Sequence, residues 1–228
     1  MAAAARVARV AQVARPHGLR ERKKRATRQL ISDVATALFT ERGFDHVTVD
    51  EVAVAADVAK MTVFNYFARK EDLLFDRSDE PQQLLRERLA TRGRQPPLVA
   101  LRALVHELVV ARHHLFGMTP AVASFWKVVA ESPALRAHTR RLAAELERDL
   151  GRLLAETVGA PAGEPTAQLV AALLVGTWRV AFREALRRQR SSVSRSAATR
   201  AAFLALVDRG FAAATFAARG TAYVAAPR

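Results

Sequence analysis

Nowhere along these 228 residues does an alternating apolar and polar run persist for the length of a half-buried strand; apolar side chains recur instead at intervals of three and four. Leu30, Ile31, Val34, Ala35, Leu38 and Phe39 set the pattern, a stripe down one side of a helix, and Gly43 stands where such a helix stops. Comparable stripes run through Leu98 to Phe116, Ala121 to Ser132, Pro133 to Val158, Thr166 to Arg188 and Ser194 to Ala218, separated by clusters of Pro, Gly and Ser. The expectation is an all-α chain of eight or nine helices. Half of its residues are hydrophobic, enough to bury a sizeable core.

No residue is cysteine, which excludes disulfide staples, thiolate zinc sites and cysteine nucleophiles. No window is apolar for the roughly 18 residues of a membrane span, and the Ala-rich opening is interrupted by Arg6 and Arg9 and lacks a cleavage pattern, so the reading is a cytoplasmic protein with no membrane partner. The net charge of +14 points to a polyanionic partner or to an Arg-biased solvated surface. Its distribution is uneven. Residues 1–28 hold nine basic side chains (Arg6, Arg9, Arg15, Arg20, Arg22, Lys23, Lys24, Arg25 and Arg28) against the single acid Glu21. Residues 1–19 read as a basic arm, 20–75 as a helix-turn-helix domain and 76–228 as a helical effector-binding and dimerisation domain. The basic segment from Arg20 to Arg28, which continues that arm, either lies along the backbone or enters the minor groove of DNA, with Arg25 and Arg28 among its contacts, or acts as a solubilising tail.

The stretch from Gly43 to Phe67 carries the function. Thr48 and Glu51 have capping-box spacing and Val47 and Val52 that of a hydrophobic staple, so a short helix starts there. It runs to about Ala56, because Asp57 and Val58 occupy a tight turn in which Asp tolerates the left-handed conformation, and a second helix starts near Lys60. Val52, Val58 and Val63 fall on the inner side of this pair, leaving Lys60, Met61, Thr62, Phe64 and Asn65 outside. Such a row is poor surface chemistry for contact with water alone. In a major groove, Lys reaches guanine or phosphate, Asn pairs with adenine, and an apolar group meets the thymine methyl. Phe67 reads as core, and Tyr66 as either a backbone contact or packing.

Residues 25–74 resemble the DNA-binding head of the TetR family of bacterial repressors. The likeness is carried by Gly43-Phe44, Thr48-Val49, Val52-Ala53, Val58, the run Thr62-Val63-Phe64-Asn65-Tyr66-Phe67, and Lys70-Glu71-Asp72-Leu73-Leu74. It implies that Lys60, Met61 and Thr62 lead into the groove, that Phe64 and Tyr66 sit against the sugar-phosphate backbone, and that Lys70 meets a phosphate at the next helix N-terminus. The chain departs from the family pattern at Asp57, where a turn Gly is usual, at Ala59, where a capping Ser is usual, and at Phe64, where a phosphate-binding Tyr is common. Phe64 has no hydroxyl to offer a phosphate, which leaves that bond to Tyr66. Val49 and Asp50 either approach DNA or shape the helix start.

One such head reads too few base pairs, so a homodimer on a palindromic operator is expected. Leu173, Leu174, Phe203, Leu204, Val207, Phe211 and Phe216 in the last two helices supply either an isologous four-helix interface, as the resemblance implies, or the core of a monomer. His113, Phe116, Met118, Phe125, Trp126, Trp178, Arg179, Phe182 and Arg183 either line a small-molecule effector cavity or belong to the core and surface. Arg179 and Arg183 suit an acidic ligand, an acidic neighbour or water. His113 and His114 diverge too far on a helix to share a metal, Glu145, Glu147 and Asp149 read as a solvated face, and no metal, cofactor or enzymatic site is expected. The leading reading is a transcriptional repressor released by a small molecule. The competing ones are an architectural or nonspecific DNA-binding protein, and a helical enzyme or carrier with a vestigial head.

Overall fold

The computed structural model describes residues 18–76, 79–113, 120–191 and 196–225, and among them finds nine α-helices, two short 3₁₀ turns and no strand. We label the helices α1 (Leu19–Arg42), α2 (Val49–Ala55), α3 (Lys60–Tyr66), α4 (Glu80–Ala90), α5 (Pro97–Val110), α6 (Pro120–Glu131), α7 (Pro133–Thr157), α8 (Pro165–Ser191) and α9 (Ser196–Ala217). The chain divides into two compact units after Asp76.

In the first unit α1 starts at Gly18, whose carbonyl accepts from the N–H groups of Glu21 and Arg22, and ends at Gly43, whose φ of +85° lets its N–H return to the Phe39 carbonyl at 3.0 Å. Arg20 to Arg25 therefore belong to a helix and not to an arm; residues 1–17 lie outside the described residues. Ile31, Ala35 and Phe39 are fully buried, whereas Leu30 is half exposed on the neighbouring face. Phe44, Val47, Val52, Ala53, Val63, Phe67 and Leu73 complete the core, each large apolar side chain contributing roughly 1.5–3 kcal/mol.

In the second unit α8 packs along α9 and α7, α5 lies against α4 and α9, α4 also meets α7, and α6 packs on α7. Leu98, Leu101, Leu154, Val170, Leu174, Phe182, Phe203, Val207 and Phe211 form its core. This corrects the assignment of Leu174, Phe203, Val207 and Phe211 to a dimer interface: the chain buries them on its own. Leu173 and Leu204 are half-buried against the same core. The larger side chains of α8 and α9 turn inward because each helix has neighbours within the chain. Ala201, Ala205, Ala212 and Ala213 stay outside with Leu169, Val180 and Phe216, the last lying beneath the Arg219 guanidinium.

Two details tie this unit together. A Cβ added at Gly210 would lie 2.6 Å from the Thr177 Cβ, so α8 and α9 meet where one of them has no side chain. Glu164 caps α8 by accepting from the N–H groups of Thr166 and Ala167, and also accepts from the hydroxyl of buried Tyr223 at 2.8 Å. These bonds, led by the one from Thr166, hold the Glu164 carboxyl down at about 2, while burial pushes the Tyr223 hydroxyl up to about 12.

Gly210→Ala should destabilise the protein by about 1–3 kcal/mol in urea melts through overpacking. Gly176→Ala, mid-helix in α8 with nothing within 4 Å of the new methyl, should instead stabilise it by roughly 0.5–1 kcal/mol. The Glu164 contribution is present above the ordinary carboxylate range and fades as pH falls from about 4.5 toward 2, so acid titrations of Glu164→Gln should lack that component.

Candidate nucleic-acid interface

The two short helices of the first unit are built as a clamp. The Thr48 hydroxyl accepts from the Glu51 N–H at 3.2 Å, while the Glu51 carboxylate accepts from the Thr48 N–H at 2.7 Å and from its hydroxyl at 2.8 Å. The Thr48 backbone bond, the Thr48 side-chain bond and, more weakly, the nearby Arg42 cation lower the Glu51 carboxyl below its usual range. α2 stops at Ala55. The Asp57 N–H then bonds the Val54 carbonyl and the Val58 N–H bonds the Ala53 carbonyl, a reversal made with Asp57 in the left-handed region at φ +53°. α3 follows at Lys60, with Val63 buried beneath it, Phe67 buried just after it and Val58 half-buried before it.

The outer side of α3 presents Lys60, Met61 (69 % exposed), Phe64 (43 % exposed) and Asn65, with Thr62 and Tyr66 half-buried at its margins. Thr48 and half-buried Val49 lie at the start of α2. Arg20, Arg22, Lys23, Lys24 and Arg25 are all exposed on the first turns of α1. The structure thus brings together on one small unit nearly every residue expected to meet DNA.

Two of those residues are placed differently from the sequence expectation. Arg28 is turned inward: its guanidinium donates to the Tyr66 carbonyl at 2.6 Å and the Asp76 carbonyl at 3.2 Å, and lies 4.3 Å over the Phe67 ring. Lys70 likewise donates to the Phe44 carbonyl at 2.6 Å and sits 4.2 Å from the Phe44 ring centroid, and burial lowers its ammonium below the usual range. It opens only a four-residue 3₁₀ turn, Lys70–Leu73. Asp50, one of the residues whose role the sequence leaves open, has a carboxylate that accepts from the Lys60 Nζ at 2.9 Å.

In the second unit Phe125, Trp126, Trp178 and Phe182 form one aromatic cluster, Trp126 edge-on to Phe182 at 5.1 Å and Trp178 stacked on it at 5.3 Å. Arg179 and Arg183 are exposed, the Arg183 Nε donating to the Arg179 carbonyl, and Glu184 is held by Arg187 and Arg188. His113 lies 3.5 Å from Glu80. Phe116 and Met118 fall outside the described residues. Among the described residues no His, Asp and Glu cluster is arranged to hold a metal, and no helix is long and apolar enough to cross a membrane.

Residues 31–76 match the family model of the bacterial regulatory proteins of the tetR family. The chain is 30% identical over 146 residues to the HTH-type transcriptional regulator TcmR of Streptomyces glaucescens, a match covering 62% of this chain and 65% of TcmR. It is 29% identical over 194 residues to a transcriptional regulator, MftR, of Mycobacterium tuberculosis, covering 82% of this chain and 93% of that one. The fold is that of SmeT, a multidrug efflux pump repressor of Stenotrophomonas maltophilia, in its triclosan complex: TM-score 0.53 at 18% identity, over 82% of this chain and 91% of SmeT.

Arg28→Ala should lower the stability of the first unit by about 2 kcal/mol, the worth of a charge-assisted hydrogen bond, whereas exposed Lys23→Ala should leave it within about 0.5 kcal/mol. Denaturant melts of both variants provide the check.

Proposed function

We propose that this chain, whose residues 31–76 match the family model of the tetR bacterial regulatory proteins, is a member of that family and works as a sequence-specific DNA-binding transcriptional regulator, a repressor released by a small molecule. The observation that carries this reading is the outer side of α3, where Lys60, Met61, Phe64 and Asn65 project while Val63 and Phe67 anchor the helix from behind. In the proposed complex α3 enters the major groove, the polar side chains meet base edges, and Arg20 to Arg25 on α1 bind phosphates.

A homodimer supplies two heads for the two halves of a palindrome. The outward face of α8 and α9, with Leu169, Val180, Phe216 and exposed alanines, is the surface we assign to that contact. The aromatic cluster around Phe182 is our candidate wall for an effector site. SmeT, whose structure holds triclosan, offers a precedent of the same fold. The effector would act by favouring a dimer whose heads no longer match successive major grooves.

The charge distribution supports sequence reading over nonspecific coating of DNA. Residues 18–76 contain ten basic and ten acidic side chains, so the head as a whole offers phosphates no net attraction beyond the basic end of α1. Selection from random-sequence duplexes should yield a palindrome with half-site centres about 34–36 Å apart. Lys60→Ala should relax base preference at one position of each half-site, costing about 1–3 kcal/mol there. Random DNA that competes as well as the selected duplex would overturn the reading.

A further inference from the structure

The recognition helix carries a single cation, and that cation is already paired. Lys60, the first residue of α3, donates through Nζ to the Oδ2 of Asp50, the second residue of α2, at 2.9 Å. Both side chains are more than half exposed, 56% for Lys60 and 62% for Asp50, so the pair lies open to solvent on the side from which DNA would approach. Three other cations of the head are also engaged. Arg28 and Lys70 are held by backbone carbonyls, and Arg42 lies 3.6 Å from the Glu51 carboxylate.

A lysine paired to a carboxylate has little to gain from a phosphate, since the pair carries no net charge and the contact sets a second anion against the Asp50 carboxylate. A guanine edge differs: its O6 and N7 acceptors are neutral and fixed in the groove, and an ammonium has three donors, so Lys60 can bond them without bringing an anion up to Asp50. Asp50 thus withholds Lys60 from contacts that every sequence offers while permitting a contact that only certain sequences offer.

We propose that Asp50 is a specificity-determining residue of the DNA-reading surface, masking Lys60 against phosphate backbones and yielding it only to base acceptors in the major groove. The inference rests on the DNA-reading function proposed above. It adds that the discrimination between operator and bulk DNA is built partly into an internal carboxylate that itself need not touch a base.

The test uses full-length protein, a duplex it selects from a random pool, and a duplex of unselected sequence. Asp50→Asn keeps the side-chain shape and removes the charge. On the unselected duplex it should bind about two- to fivefold tighter, the range of an exposed ion-pair coupling. The slope of log affinity against log salt should steepen by about 0.9 for each head. On the selected duplex the gain should be smaller, so the specificity ratio falls. In a Lys60→Gln background the same substitution should leave the slope on unselected DNA unchanged.

An unaltered slope and ratio for Asp50→Asn would overturn the proposal. An equal gain with Lys60→Gln would reduce Asp50 to plain repulsion of phosphate, and a loss confined to the selected duplex would make it a direct reader of a base; either result also overturns it. A wild-type protein that selects no sequence would remove the DNA-reading function itself, an outcome distinct from each of these.

Discussion

The Arg28 guanidinium, reaching from α1 to the carbonyls of Tyr66 and Asp76 and resting on the Phe67 ring, fixes the C-terminal end of the recognition helix. A seven-residue helix has too few internal bonds to hold its own shape and depends on what lies around it. Val63 anchors its middle, the Asp57 reversal sets its start, and Arg28 closes its end. Lys70 does the same for the turn at Phe44, and the Ser32 hydroxyl donates to the Leu73 carbonyl at 2.9 Å. These bonds leave from α1 or return to its end, so the exposed row on α3 is positioned from another helix of the unit. Precise presentation of a short helix is therefore a tertiary property, secured by polar groups that never face the ligand.

The charge of +14 suggests an indiscriminate polyanion binder until its placement is considered. Within residues 18–76 the two signs balance, and several of the cations are occupied by acceptors of the head itself. What remains to attract a phosphate is the exposed cluster from Arg20 to Arg25, with exposed Arg69. In the proposed DNA complex, attraction at one edge and neutrality on the reading surface separate the task of holding a duplex from that of reading it.

Much of the architecture was legible because it rests on local rules. Apolar spacing gave the helices, the Thr48 and Glu51 pair gave the start of α2, and the left-handed tolerance of Asp57 gave the turn. The cations were harder. Arg28 continues the inward register of Ser32, Ala35 and Phe39 by one turn, a signal present in the sequence but hidden by the habit of assigning arginine to solvent. The Lys60 and Asp50 pair is not a helical neighbour pair, and only the fold of the reversal brings the two together. The residues expected at a dimer contact were misplaced for a related reason. Periodicity shows that Leu174, Phe203, Val207 and Phe211 face something apolar, but not whether that surface belongs to the same chain.

The crossing of α8 and α9 at Gly210 and Thr177 binds two distant positions into one historical unit. A lineage that acquires a larger residue at 210 must shrink residue 177 in the same step or tolerate a wedge between the two helices. The pair can therefore drift only along combinations of nearly constant joint volume. Among related chains, the identities at these two sites should change together or not at all.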